Sequence, residues 1–448
     1  MTVISENVRE ALVLGLGRSG AAAARLLAGM GWRVTVVDRG AGTVAVPDGV
    51  RFVANAVELP PGDFGLCVVS PGIDCQSAWV REMVARCKDV ISELELGWHH
   101  CRCPVLAVTG TNGKSTLVKL LADLLTAGGL RSEPSGNYGI PLCESAGRSD
   151  ALDWVVAEVS SFQLELVREF RPRIGIMLNL QPDHLGRHGS MARYGALKAR
   201  QFRAMRTGDT ALVYEADFEA MREAAGACSP SWIKFGAGED CAARFDAALH
   251  EVRYLPADGG DEVRVSLLDT GFDNPVTGLA AAAAVAAATL CGLDAPTIEA
   301  VIAGFVPLAH RMQPVATVAG VRYVNDSKAT NLTSLQAALE MTSAPVRLIV
   351  GGQLKEKDLD FVKEVLKKRV ESVYLIGEAA LAFAAAWQDC VPCRQCGDLE
   401  TAVMAARKDA KAGDMVLLSP GCASFDQFRS YADRGDQFRE FVCRIAKQ

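Results

Sequence analysis

Three times along this chain an apolar, β-branched run breaks into glycine and passes into a helical pattern. The first is Ala11-Leu-Val-Leu-Gly-Leu-Gly-Arg-Ser-Gly20, followed by a helical pattern over Ala21–Met30 and a second strand over Val34–Asp38. The second is Val105-Leu-Ala-Val-Thr-Gly110, which runs through Lys114 into a helix over Leu117–Thr126. The third is Val346-Arg-Leu-Ile-Val-Gly-Gly352, with further strands near Val373–Ile376 and Met415–Leu418. Strands alternating with helices at this spacing imply α/β layers around largely parallel sheets.

A chain of 448 residues exceeds what one core usually serves, so two or three domains are expected. Cys101-Arg-Cys-Pro104 lies between the first sheet pattern and the second, and its proline suits a linker. Val306-Pro-Leu-Ala-His310 closes an alanine-rich helical region ahead of the third unit. The longest apolar stretch, Leu279–Leu290, is mostly alanine and short of the ~20 residues of a spanning helix, so it reads as a buried, tightly packed helix. Met1–Glu10 lacks the basic start and apolar core of a signal peptide. A cytoplasmic protein without membrane insertion is therefore expected. The net charge of −6 argues against a sequence-independent grip on nucleic acid, so anionic ligands need local sites. Fourteen cysteines in a chain this long fit reduced thiols better than a disulfide scaffold. Cys390, Cys393 and Cys396 form a C-x2-C-x2-C run, but a cluster needs a fourth thiolate and none follows before Cys422; ordinary small apolar residues near a strand are the simpler reading.

Gly110-Thr-Asn-Gly-Lys-Ser-Thr116 leaves a strand and opens a helix. Backbone N–H groups of such a loop point at phosphate oxygens, and the helix N-terminus adds partial positive charge. Lys114 would reach the β- and γ-phosphates and Ser115 would ligate Mg²⁺. Val108 stands where the strict motif has its first glycine, yet the flanking strand and helix favour phosphate binding over a plain glycine turn. Gly15-Leu-Gly-Arg-Ser-Gly20, with Asp38 ending the next strand, is a dinucleotide fingerprint; another nucleotide diphosphate, or tight packing alone, would use the same turn. Ser70-Pro-Gly72 is a further turn at a strand's carboxyl end. Glu158, after the strand Trp154–Ala157, and Asp183-His184, after the strand Ile174–Leu178, fall where loops should meet the phosphate loop, and could hold Mg²⁺. Lys198, within Tyr194–Arg200, reads on pattern alone as a solvated helix lysine. Asn325-Asp-Ser-Lys-Ala-Thr-Asn331 reads as an exposed turn and helix cap, and Leu418-Ser-Pro-Gly-Cys-Ala-Ser424 as a polar turn leaving a strand.

Taken together, Gly110–Thr116, Glu158-Val-Ser-Ser-Phe-Gln163, Asn179 through His184, and His310-Arg311 resemble the Mur ligase family of peptidoglycan synthesis. Asn325–Asn331, Ser419–Ser424, Ser70–Gly72 and the first glycine turn resemble its D-glutamate-adding branch. The resemblance spans nearly the whole chain. It implies three domains: a Rossmann-like UDP-sugar domain (1–103), a P-loop ATP domain (104–308) and a Rossmann-like amino-acid domain (309–448). It implies a monomer taking a UDP-sugar-linked L-alanine, D-glutamate and ATP with two Mg²⁺ ions. The γ-phosphoryl would pass to the terminal carboxylate, and the amine of D-glutamate would displace phosphate.

By position, Lys114, His184 and Lys198 match catalytic residues. Gly110, Thr111, Asn112, Gly113, Lys114, Ser115, Thr116, Arg311 and Asp326 match ATP contacts. Ser115 and Glu158 match one metal site; His184 and Lys198, the latter carbamylated in the family, match the other. Gly15, Leu16, Gly17, Asp38, Arg39, Ser70, Pro71, Gly72, Asn137 and His184 match UDP-sugar contacts. Lys328, Thr330, Lys355, Ser424 and Tyr431 match the amino-acid pocket, with Lys357 the alternative to Lys355. The sequence departs from the family pattern at Thr277 (in place of an adenine-side asparagine), Gly186 and Gln181, so the adenine contact is not carried over to Thr277. A nicotinamide-dependent oxidoreductase would explain Gly15–Gly20 and Asp38 but leave Gly110–Thr116 without a role. A nucleotide-binding scaffold without ligase chemistry is the third reading.

Overall fold

The computed structural model describes residues 9–58, 62–257, 259–356 and 358–447. Lys357 therefore lies outside the described residues, as does most of Met1–Glu10. The first sheet contains β1 (Glu10–Leu14), β2 (Arg33–Val37), β3 (Arg51–Val53), β4 (Leu66–Val69) and β5 (Val90–Ser92), in the order β3-β2-β1-β4-β5. All its pairings are parallel. The strand order reverses between β1 and β4, and such a switch point opens a crevice at the carboxyl ends of the strands. Ala11, Leu12, Val13 and Leu14 are fully buried because helices cover both faces, as runs without polar alternation require.

The middle sheet carries β6 (Val105–Thr109), β7 (Ser132–Gly136), β8 (Trp154–Glu158), β9 (Ile174–Met177), β10 (Thr210–Tyr214), β11 (Ser231–Gly236), β12 (Ala243–Asp246), β13 (Glu251–Tyr254) and β14 (Val263–Ser266). Their order is β14-β13-β12-β11-β10-β9-β6-β8-β7. The strands β7 to β12 pair in parallel, and β12, β13 and β14 form an antiparallel meander at one edge. Central β6 lies between β8 and β9, so the loops leaving these three strands share one edge of the sheet. The alanine-rich helix Thr277–Leu290 is packed as expected: each residue from Ala281 to Ala288 has 0% exposure.

The last sheet contains β15 (Gln313–Val318), β16 (Val321–Asn325), β17 (Val346–Gly351), β18 (Val370–Ile376), β19 (Cys393–Gly397) and β20 (Met415–Leu418), ordered β15-β16-β20-β17-β18-β19. Only β15–β16 is antiparallel. Cys390 and Cys393 pack against the core on one face and Cys396 against that on the other. The C-x2-C-x2-C run thus cannot converge on one ion, and the plain apolar reading holds. By compactness the chain divides into two units. One comprises Met1–Leu268 with Leu279–Ala303, and so includes the first and middle sheets. The other comprises Asp269–Gly278 with Gly304–Gln448. Among the described residues no helix is long and apolar enough to cross a membrane.

Candidate active site

The glycine loop joins β6 to the helix Lys114–Ala127. Gly113 is the residue before the helix and has φ +83°, a conformation that costs a residue with a Cβ. That kink turns the loop's backbone back over the helix end. The Asn179 side chain, arriving from the end of β9, keeps it there. Its Oδ1 accepts from the N–H groups of Thr111 (3.0 Å) and Asn112 (2.9 Å), and its Nδ2 donates to Asn112 O. Gln181, from the same connection, accepts from Asn112 Nδ2 and exchanges backbone hydrogen bonds with the Thr111 hydroxyl. Asn179 and Gln181 were absent from the expected contacts; their signal was only a place in the segment before Asp183-His184.

Five expected residues gather at this loop. The Ser115 hydroxyl donates to Glu158 Oε2 at 2.5 Å, and Asn137 Nδ2 donates to Glu158 Oε1 at 2.7 Å. Lys114 Nζ donates to Gly110 O and Thr111 O. Lys198 Nζ donates to the same Gly110 O at 2.6 Å. Pattern alone placed Lys198 in solvent; instead it has 1% exposure, because its helix Met191–Ala199 lays the Tyr194–Lys198 face on the loop. Its ammonium lies 4.6 Å from the centre of the Tyr194 ring. Burial, then the neighbouring charge of Lys114, pushes the Lys198 amine well below the usual lysine range, against the pull of Asp183 and Glu158. Hydroxyl and carboxylate oxygens such as those of Ser115 and Glu158 suit a hard divalent cation. His184 ends the same connection after β9 that supplies Asn179 and Gln181; its ring lies against Phe162, 4.8 Å between centroids, and its Nε2 lies 3.5 Å from Asp183 Oδ2.

At the switch point of the first sheet, Ser70 Oγ donates to Gly15 O and joins the two turns. Asp38 accepts from Leu16 N on one oxygen and Gly40 N on the other. The carboxylate that suggested a ribose contact is thus engaged in bracing the turn. Gly20 is needed for a different reason: a Cβ there would stand 1.9 Å from Gly15 O. The Arg39 guanidinium lies over the Trp79 ring at 5.2 Å. Gly17, Pro71 and Gly72 line the same turns.

In the second unit the segment 325–331 departs from an exposed turn. Asn325, Asp326 and Ser327 are buried, and only Asn331 acts as a cap, accepting from Ser334 N. Asp326 accepts from the Ser419 hydroxyl and Met312 N, and burial raises its carboxyl to about 7. The wholly buried Arg434, on the helix Tyr431–Ala446, donates to Ser327 Oγ, Ser327 O, Cys422 O and Gly351 O, tying three strand ends together. In sequence it is one charged residue among many on that helix, and nothing marks it. Lys328 Nζ lies 3.9 Å from the centre of the Tyr431 ring. Ser424 is buried, Thr330 half-buried and Lys355 exposed. Gln353 and Ala423 exchange backbone hydrogen bonds, which brings the Lys355 segment beside Ser424. Arg311 precedes Met312 at the same edge. Thr277 receives a hydrogen bond from Asn274 Nδ2 and donates to Gly271 O, so its hydroxyl serves the start of its helix.

Comparison with known proteins bears on the whole chain. Residues 108–286 match the model described as Mur ligase middle domain, and residues 310–422 that described as Mur ligase, glutamate ligase domain. The chain is 37% identical to the UDP-N-acetylmuramoylalanine–D-glutamate ligase of Pelotomaculum thermopropionicum, over 98% of both chains. It is 38% identical to the ligase of the same name from Desulfotalea psychrophila, over 97% of this chain and 95% of that one. Among solved structures, the MurF ligase of Thermotoga maritima in complex with ADP shares the fold with a TM-score of 0.61 at 17% identity, over 98% of this chain and 97% of that one. E. coli FolC in complex with DHPP and ADP shares it at 0.58 and 19% identity, over 79% of this chain and 92% of that one.

Proposed function

The chain belongs to the Mur ligase family, and from that premise we propose that it is the ATP-dependent ligase that adds D-glutamate to UDP-N-acetylmuramoyl-L-alanine in peptidoglycan precursor synthesis. The observation that carries this is the convergence of Lys114 and Lys198 on Gly110 O beside the Ser115–Glu158 pair, in a chain that relatives of that name match over 98% of its length. Residues 1–103 bind the UDP-sugar, 104–308 ATP and 309–448 the amino acid, in a cytoplasmic monomer.

Gly110–Thr116 cradles the phosphates, and Lys114 swings its ammonium from the loop carbonyls to the γ-phosphoryl oxygens. The γ-phosphorus bonds to a carboxylate oxygen of the acceptor while its bond to ADP breaks. The nitrogen of D-glutamate then bonds to the acyl carbon, loses a proton and expels phosphate. Ser115 and Glu158 would hold one Mg²⁺, and His184 with Lys198 the second; such ions would supply positive charge where phosphoryl oxygens gain negative charge. Lys198 serves as a carbamate: its neutral amine adds to CO2, forming an N–C bond and releasing a proton. Two ammonium groups on Gly110 O repel, and the buried one is the easier to deprotonate. Asn137 orients Glu158 and meets the acceptor. Arg311 and Asp326 contact ATP. Lys328, Thr330, Lys355, Ser424 and Tyr431 receive D-glutamate, and the Gly15, Asp38–Arg39 and Ser70–Gly72 turns take the uridine diphosphate.

Phosphate release by the purified protein tests the reading. Release should require ATP, the UDP-linked acceptor and D-glutamate together. Equal release without the amino acid would leave an ATPase, and none under any combination would leave a binding protein.

A further inference from the structure

Arg187 lies three residues beyond His184 and has a role that none of the assignments above gives it. Its guanidinium donates from Nη1 to Pro71 O at 3.2 Å and from Nη2 to Ile73 O at 2.8 Å. Both carbonyls belong to the turn after β4, in the first sheet. The other edge of the same guanidinium engages Glu165, from Nε at 3.0 Å and from Nη2 at 2.7 Å. Its face covers the Phe162 ring at 4.3 Å, and that ring also packs against His184 and His188. Arg187 and Glu165 side chains are 17% and 13% exposed, so water screens this cluster little.

These contacts link two places that must be held in register. The Ser70–Gly72 turn lies at the switch point assigned above to the acceptor's diphosphate; Phe162 and His184 lie on the loops that follow β8 and β9, the strands flanking β6. His188, the residue after Arg187 and the last of the one-turn helix Leu185–His188, is buried, pairs with Ser161 at 3.0 Å and stacks on Tyr194. Tyr194 OH in turn lies 3.5 Å from the Thr111 hydroxyl. A contiguous set of side chains thus runs from the acceptor turn to the phosphate loop, and Arg187 is the member that donates to the turn's carbonyls.

We propose that Arg187 is a positioning residue for phosphoryl transfer, holding the acceptor turn Ser70–Ile73 in register with His184 and the phosphate loop. The proposal rests on the ligase reading above. It requires the fork of donors on a planar group, which a lysine lacks, so charge alone does not suffice. Displacing a reacting carboxylate by about 1 Å can cost on the order of a hundredfold in rate.

The test uses the full chain with Arg187→Ala and Arg187→Lys. Both variants should lose about tenfold or more in kcat and raise the acceptor KM, while the KM of ATP stays within about twofold. Hydrogen exchange read by mass spectrometry should show peptide 70–76 losing protection and peptide 105–116 keeping it. A KM for ATP that rises in step with that of the acceptor, or full activity in Arg187→Lys, would overturn the proposal. If Arg187→Ala fails to fold, Arg187→Lys decides by the same constants. Should the unaltered protein not turn over the acceptor at all, the functional reading fails, and exchange in peptide 70–76 still judges the tether: unchanged protection there refutes it.

Discussion

Lys198 has almost no exposed surface, yet its helix pattern gives no warning of this. A lysine buried beside Lys114 is held most easily as a neutral amine, which is the form that adds CO2. Lys198→Ala should therefore lose most activity, and short carboxylates such as acetate should restore part of it by filling the vacated ligand position. Full activity in that variant, measured by phosphate release, would return Lys198 to a packing role. Glu93 is a different buried charge. Its Oε1 accepts from Cys143 N while its Oε2 has no partner, and burial raises the carboxyl to about 7. With the folded value above the unfolded one, its favourable contribution is present below about pH 4.5 and is lost as pH rises through about 7. Glu93→Gln should match the parent protein near pH 4.5 and exceed it at pH 8 by roughly 1–3 kcal/mol in urea unfolding. A gain of equal size at both pH values would mean that ionisation is not the cause.

The phosphate loop illustrates how elements are completed by distant parts of the chain. The turn from β6 into its helix is written locally in Gly110 and Gly113, but its backbone is held by Asn179, which arrives from β9. The first sheet's turn is likewise shaped by close approach, since a Cβ at Gly20 would strike Gly15 O. Gly20→Ala should force the helix away from β1 and cost roughly 1–3 kcal/mol of stability. The acceptor's KM should rise while that of ATP holds; a stable variant with an unchanged acceptor KM would show that the turn has slack. In the last sheet, the polar run Asn325–Ser327 at the end of β16 is buried because Gly435 O, Ser419 and Arg434 supply partners to its three side chains.

At the scale of the whole molecule, nucleotide choice is the sharpest question. Both oxygens of Asp38 accept backbone N–H groups, so its carboxylate braces the glycine turn whichever nucleotide binds, and the dinucleotide fingerprint does not by itself call for NAD. On the ligase reading, calorimetry on the intact chain should find binding of a UDP-sugar and none of NAD; tight NAD binding would reverse the assignment. The three strand–glycine–helix units, their parallel pairing and the phosphate loop were legible in order along the chain, because strand, turn and helix signals are local and lie within about thirty residues of one another. The packed alanine helix was legible for the same reason. The burial of Lys198, the bracing duty of Asp38, the anchoring of the loop by Asn179 and the roles of Arg187 and Arg434 were not. Each depends on partners between 22 and 116 residues away in sequence. A side chain's type and spacing say what it can do; only the tertiary structure, by choosing its neighbours and removing its water, decided which of those things it does.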